Sequence, residues 1–184
     1  MVKLVNETLF SDELLGKIRE RFAFIDRDPL TKKKRIFFDN AGGSFRLKSA
    51  VEKFAQFDLI PDHPQRDHET AKYLANVEQK GIEDARIIFN GKKGTIATYL
   101  TASQAIFDIT GVIAENIKGT NIVTTTLEHP SAFDSAKYYA NKLGKEIRVA
   151  KTNPETGGVD VEEVVKLIDS DTCLLSVIYA SNIS

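Results

Sequence analysis

Three polar segments combine residue types that can bind a phosphorylated aromatic ligand, and each of them follows an apolar, strand-like run. At Thr101-Ala102-Ser103 a strand runs into a helix, whose first backbone N–H groups favour an anion, and the Ser103 hydroxyl adds a donor. His129 precedes a proline that starts the next helix, so its imidazole can lie flat on an aromatic ring. Asn182 closes the third segment, and its amide can donate to a phenolic oxygen.

Each of these residues has a simpler interpretation when it is taken alone. Ser103 is of a type that caps the N-terminus of a helix. His129 is compatible with an exposed histidine in a loop between a strand and a helix, and Asn182 is compatible with an ordinary turn residue. The prediction therefore depends on the combination of the three segments.

Motifs of several other active sites are absent from the sequence. No G-x-G-x-x-G follows a strand, residues 91–94 do not extend to a P-loop, and no G-x-S-x-G is present. His68 opens a stretch like a metalloprotease helix, but Lys72 stands where the second histidine belongs. With three histidines and one cysteine in the chain, we expect no metal site.

Composition limits the partners and the compartment. The formal net charge of −1 gives no reason to expect nucleic acid or an anionic membrane as a partner. The single cysteine, Cys173, excludes an internal disulfide framework and fits a reducing compartment. The chain contains no apolar stretch of the kind found in signal peptides or membrane spans. We therefore expect a soluble, cytoplasmic protein without a membrane partner.

The apolar spacing predicts an α/β fold in which a mostly parallel sheet is flanked by helices, with further helices at the N-terminus. The predicted helices are Asp12–Phe24 with Ser11 as its cap, a helix from Ser44 that carries Phe57, His68–Phe89, Ser103–Asn116, Pro130–Leu143 and Val161–Ile168. The predicted strands are Arg35–Phe38, Ile96–Leu100, Asn121–Leu127, Glu146–Lys151 and Cys173–Tyr179. Asp160 and Glu163 have the spacing of a capping box for the last helix.

Five short motifs occur in the order found in one enzyme family. They are Arg35 to Ala41, which resembles "(L/F)DNA(A/G)"; Thr101 to Ala105, which resembles a phosphate loop; Glu128 to Ser131, which resembles "E-H-x-(S/A)"; Gly157 to Asp160, which resembles "G-x-(L/V)-D"; and Ser176 to Asn182, which resembles a strand ending in "S-N-x-x-G". From about residue 35 to its end, the sequence resembles the class V aminotransferase family, which includes the cysteine desulfurases.

The resemblance implies a cofactor, pyridoxal 5′-phosphate (PLP), and a role for each matching residue. Ala102 and Ser103 would bind its phosphate, with Thr101 in place of the family's glycine. His129 would stack on the pyridine ring and act in catalysis by moving protons, and Asn182 would donate to the O3′ oxygen. Asn40 and Ala41 would line the substrate side of the pocket.

The resemblance also implies a domain organisation. Residues 1–34 would form an N-terminal helical segment, and residues 35–184 an incomplete PLP-binding large domain of fold type I. The family's Schiff-base lysine, its ring-pairing aspartate and its carboxylate-binding arginine lie beyond residue 184 in family order. We therefore expect the chain alone to be inactive.

The resemblance leaves the activity of the parent enzyme open within a defined range. A cysteine desulfurase or selenocysteine lyase-like enzyme, acting on a small amino acid as a homodimer, is the first expectation. The alternatives are a class V aminotransferase, an epimerase, a kynureninase-like enzyme, or a non-catalytic structural or binding fragment.

Overall fold

The computed structural model describes residues 10–182, and the chain divides into two compact units, residues 1–94 and 95–184. The first nine residues of the predicted N-terminal segment, and Ile183 and Ser184 after the last motif, lie outside the described residues. The division into a helical segment and a domain from residue 35 stays a prediction.

The first unit contains three helices, α1 (Asp12–Glu20), α2 (Lys48–Asp58) and α3 (Glu69–Ile88). Ser11 caps α1 as predicted, since its hydroxyl accepts a hydrogen bond from the Leu14 N–H at 3.2 Å. α2 begins at Lys48 and not at Ser44: residues 44–46 have no regular secondary structure, and the N-cap residue Leu47 is extended.

Two predicted strands are wrong: Arg35–Phe38 and Ile96–Leu100 are not strands of any sheet within residues 10–182. Beside the first run, only one isolated antiparallel bridge forms, between Arg27 and Lys34. The Arg35 guanidinium lies 4.5 Å from the centre of the Phe37 ring. Both runs have β-forming residue types, but a strand also needs a neighbouring strand to receive its backbone hydrogen bonds.

The second unit alternates helices with strands: α4 (Ala102–Asn116), β1 (Asn121–Thr125), α5 (Pro130–Leu143), β2 (Glu146–Ala150), α6 (Val161–Val165) and β3 (Thr172–Leu175). The strand order is β2-β1-β3, and both pairs are parallel, which confirms the predicted parallel sheet. All five residues of β1 are buried, as a central strand of such a sheet requires.

The core of the second unit lies between the sheet and α4 and α5, which also pack against each other. It is built from Ile122, Ala114, Ala136, Ala140 and Cys173. Small side chains on both helices allow close approach, and a Cβ at Gly111 would lie only 2.4 Å from Tyr139 Cζ. Cys173 is therefore a core residue, as its apolar surroundings in the sequence suggest.

A polar network joins the strands at the amino end of the sheet. Asn121 is fully buried; its amide donates to Asp169 Oδ1 at 2.9 Å and accepts from Thr172 Oγ1 at 2.7 Å. Arg148 Nη1 donates to the other Asp169 oxygen at 2.6 Å. The hydrogen bonds from Arg148 and then Asn121 lower the pKa of Asp169 well below the usual range of a carboxyl.

No helix among residues 10–182 has the length and apolar character that crossing a bilayer requires.

Candidate cofactor site

The N-termini of α4 and α5 lie at the same end of the second unit, because the two helices run parallel. Ser135 Oγ donates to Thr110 Oγ1 at 3.2 Å, and further along both helices Lys142 Nζ donates to Glu115 Oε1 at 2.8 Å. α5 starts just beyond the carboxyl end of β1 and runs back along the sheet. The first turn of α4 therefore also lies at the carboxyl ends of the strands, the edge where α/β sheets bind ligands.

The tip of α4 presents two backbone donors. Thr101 is its N-cap residue: the hydroxyl accepts from Gln104 N–H at 3.2 Å, and the carbonyl accepts from Ala105 N–H at 3.2 Å. Ala102 and Ser103 supply the two N–H groups of the first turn that the helix cannot pair with its own carbonyls. The alternative interpretation of Ser103 as the cap is wrong, since Thr101 holds that position. Both donors point along a helix dipole that favours a bound anion.

His129 is the N-cap residue of α5, and its ring is fixed in one tautomer. Nδ1 accepts a hydrogen bond from the Ser131 N–H at 3.2 Å and lies 2.7 Å from Ser131 Oγ. A backbone N–H can only donate, so Nδ1 carries the lone pair and the proton of the neutral ring sits on Nε2. Pro130 follows as the first residue of the helix, and the imidazole is exposed. His129 thus presents Nε2–H as its available proton.

Glu128 connects the end of β1 to the segment that follows β3. Its Oε1 accepts from Thr125 Oγ1 at 2.8 Å and from the Ile178 N–H at 2.7 Å. Glu128 stood in the sequence only as one letter of a motif, and this contact was not predicted. A carboxylate directly after a buried strand was a signal, but its partner lies 50 residues away in the sequence.

Asn182 lies beyond β3, the strand next to β1. The Ser176 N–H donates to the Val123 carbonyl at 2.9 Å, so pairing with β1 continues one residue past β3. Asn182 itself is exposed. Because β1 and β3 are adjacent and parallel, Asn182 and His129 both follow carboxyl ends of neighbouring strands. The second unit therefore places Ala102, Ser103 and His129 at the carboxyl edge of the sheet, whereas the role of Asn182, which follows β3 in the chain, stays a prediction.

Asn40 and Ala41 belong to the first unit. They form a turn in which Asp39 Oδ1 accepts from the Gly42 N–H at 3.2 Å, and both are exposed. A Cβ at Gly42 would lie 2.7 Å from Asp39 Oδ2, so this turn requires glycine unless the Asp39 carboxylate moves. The substrate-side role of Asn40 and Ala41 stays a prediction.

An apolar cavity of about 500 Å³ borders the strand ends on the α6 side of the sheet. Its lining includes Leu127 after β1, Val164 on α6, and Val177 and Ser181 after β3. Among residues 10–182, no group of three or more His, Cys, Asp or Glu side chains is arranged to hold a metal ion.

A parallel sheet flanked by helices defines the second unit as an α/β fold. Residues 36–184 match the family model for class-V aminotransferases, and the chain belongs to that family. Its fold is, as predicted, part of that of the PLP-dependent cysteine desulfurases. Proteins of this family generally depend on PLP, act on amino-acid substrates and usually form dimers.

Curated and solved relatives are cysteine desulfurases. The chain is 26% identical over 155 residues to a cysteine desulfurase of Haloferax volcanii, across 80% of this chain and 36% of that protein. The apo cysteine desulfurase of Thermococcus onnurineus NA1 superposes with a TM-score of 0.71 and 22% identity, over 91% of this chain and 40% of that one. The S-sulfonic acid form of the Escherichia coli cysteine desulfurase CsdA superposes with a TM-score of 0.68 and 16% identity, over 96% of this chain and 43% of that one. The chain thus spans less than half of each relative.

Proposed function

We propose that this chain is part of a PLP-dependent enzyme acting on a small amino acid, with a cysteine desulfurase or selenocysteine lyase-like activity. The observation that supports the proposal is that α4 and α5 begin at the carboxyl edge of the parallel sheet, with His129 as the N-cap residue of α5. The 26% identical cysteine desulfurase supports this subclass over an aminotransferase, an epimerase or a kynureninase-like enzyme.

The donor set of this edge fits the chemical groups of PLP. The N–H groups of Ala102 and Ser103, with the Ser103 hydroxyl, suit a phosphate dianion at a helix N-terminus. The flat imidazole of His129 suits a pyridine ring, and the Asn182 amide suits a phenolic oxygen. When bound, PLP supplies an electron sink for the carbanion of an amino acid.

His129 would hold or move a proton at one defined atom. Ser131 occupies Nδ1 and orients the ring, so proton exchange with a substrate is restricted to Nε2. Replacing Ser131 with alanine would remove the hydroxyl but leave the backbone N–H donor in place. The tautomer would therefore survive in that variant, whereas the ring would lose one of its two contacts.

We further propose that the chain alone gives no turnover and that the full-length protein is a homodimer, as is usual in the family. We propose in addition that none of the lysines within residues 1–184 is the one that holds PLP covalently in family members. Incubating the chain with PLP and reducing with borohydride should give no adduct at one unique lysine. A stoichiometric adduct at a single lysine would contradict the proposal that none of these lysines holds PLP.

Binding affinity gives a second test of the proposed function. Ser103→Ala, His129→Ala and Asn182→Ala should each weaken binding of pyridoxine 5′-phosphate, a PLP analogue without the aldehyde that reacts with surface lysines. Each lost hydrogen bond or ring contact should raise Kd by roughly threefold to tenfold. Ser170→Ala, at an exposed serine in the turn before β3, is the matched control and should leave Kd unchanged. Equal Kd values for all four variants and the parent chain would contradict the proposed site.

A further inference from the structure

The pairing of β3 with β1 continues past the last residue of β3 through a side chain. Directly after β3, the Ser176 N–H still donates to a main-chain acceptor, the Val123 carbonyl, at 2.9 Å. The next rung of a parallel ladder would join the Ile178 N–H to the Thr125 carbonyl, two residues further along each strand. The Ile178 N–H instead donates to Glu128 Oε1 at 2.7 Å. The carboxylate thus takes the position of a main-chain acceptor where β1 has ended.

The carboxylate is itself held by the end of β1. Thr125 is fully buried, and its hydroxyl donates to the same Glu128 oxygen at 2.8 Å. The hydroxyl oxygen accepts from the Leu127 N–H at 3.2 Å, which fixes the direction of its proton towards Glu128. A half-buried carboxylate with two such donors forms charge-assisted hydrogen bonds, which are shorter and stronger than neutral ones.

We infer that Glu128 is a positioning residue, whose carboxylate fixes the segment bearing Asn182 against the segment bearing His129. Glu128 directly precedes His129, and its partner Ile178 lies four residues before Asn182. One side chain therefore joins the two strand ends that carry the ring-side groups of the site. The binding of PLP by His129 and Asn182 rests on the proposed function, whereas the hydrogen bond between Glu128 and Ile178 does not.

Amide hydrogen exchange in the 184-residue chain tests the connection. Glu128→Ala should speed exchange at the Ile178 amide by roughly tenfold or more, because its acceptor is gone. The Ser176 amide, bonded to the Val123 carbonyl, should keep its protection. Glu155→Ala is the matched control, because Glu155 is exposed and its carboxylate accepts no hydrogen bond from any of residues 10–182. This variant should leave the exchange rates of both amides unchanged. Unchanged protection of Ile178 in Glu128→Ala would overturn the inference.

The conservative variant keeps the test decisive if Glu128→Ala unfolds the unit, which loss of Ser176 protection would reveal. Glu128→Gln retains an acceptor oxygen without the charge, so Ile178 should exchange faster than in the parent chain while Ser176 stays protected. Equal Ile178 exchange in Glu128→Gln and the parent chain would then overturn the inference.

Pyridoxine 5′-phosphate separates the inference from the proposed function. In the parent chain its addition should shift the Ala102 and Asn182 amides, and in Glu128→Ala the shift at Asn182 should shrink by at least about half while that at Ala102 persists. A full Asn182 shift in Glu128→Ala would overturn the positioning role. If the parent chain shows no shift at either amide but Ile178 still depends on Glu128, the proposed function fails and the connection stands.

Discussion

Arg148 donates a hydrogen bond from Nη1 to Asp169 Oδ2 over 2.6 Å and thereby ties β2 to the turn before β3. The other Asp169 oxygen accepts from the amide of Asn121, the first residue of β1. The order β2-β1-β3 thus has a polar clamp at its amino end. At the opposite end, Glu128 performs a related function between β1 and the segment after β3.

The Asp169 clamp predicts a loss of stability in acid. Its pKa is lowered in the folded state, chiefly by Arg148, so folding favours the ionised carboxylate. The stabilisation is therefore fully present above the unfolded-state pKa of about 4 and is lost as pH falls below it towards the folded-state pKa. Asp169→Asn should lower the urea midpoint at pH 7 and reduce the difference between the midpoints at pH 7 and pH 3.

Asp134→Asn provides the control for this pH experiment, since Asp134 is an exposed carboxylate on α5. That variant should show the same pH dependence of the urea midpoint as the parent chain. The prediction would be contradicted if Asp169→Asn kept the full pH dependence of the urea midpoint. The clamp would then stabilise the fold equally with Asp169 ionised or protonated.

We expect a side chain at Gly119 to destabilise the fold strongly, even one as small as a methyl group. Its φ is +148°, which side chains rarely adopt, and an added Cβ would lie 2.4 Å from the Asp171 carbonyl oxygen. Because the obstacle is backbone, it cannot be relieved by a rotamer change. Gly119→Ala should lower the free energy of unfolding by about 2 kcal/mol or more. Gly16→Ala, in open space within α1, should instead raise it by roughly 0.5–1 kcal/mol. Equal effects of the two substitutions would contradict this account.

We expect the chain to self-associate through the edge of β3 that faces away from β1. Within residues 10–182, β3 is at the margin of the sheet and no other strand pairs with that edge. Leu175, Val177 and Tyr179 are exposed there. An unpaired edge with apolar side chains favours pairing between copies. Sedimentation velocity should therefore show species larger than a monomer that grow with concentration.

A lysine at this edge should reduce the association, since charges on edge strands disfavour pairing. Val177→Lys should shift the sedimentation profile towards the monomer. Val112→Lys, at an exposed valine of α4, should leave the profile of the parent chain unchanged. Identical profiles for Val177→Lys and the parent chain would exclude this edge as the contact.

The bounds of an element could be predicted from the sequence where neighbouring residues determine them. The bounds of α5 were predicted at both ends, because Pro130 starts the helix and Gly144, with φ 65°, ends it in the left-handed conformation. The predicted capping box of α6 is wrong: Asp160 makes no side-chain cap, and its Oδ2 accepts from Asn153 Nδ2 at 3.0 Å. A loop residue upstream competed for that carboxylate.

The errors at the strands have a common cause. β3 was predicted to reach Tyr179 but ends at Leu175, because the Ile178 N–H donates to Glu128 Oε1 and not to the Thr125 carbonyl of β1. The sequence of one strand does not show where its neighbour stops, nor that Glu128 receives the next N–H. The residues of the candidate site were predicted from family motifs, whereas the Glu128–Ile178 contact, which joins two of the segments that carry them, spans 50 residues of sequence.

The central claim is that the α4 tip, His129 and Asn182 bind one phosphorylated ring. The most direct measurement is an NMR titration of the chain with pyridoxine 5′-phosphate, with pyridoxine as the control that lacks the phosphate. The account predicts that the amides of Ala102, Ser103, His129 and Asn182 shift along one saturation curve with a single Kd, and that pyridoxine leaves Ala102 and Ser103 unmoved. Amides that saturate with different Kd values, or that respond equally to both compounds, would contradict it.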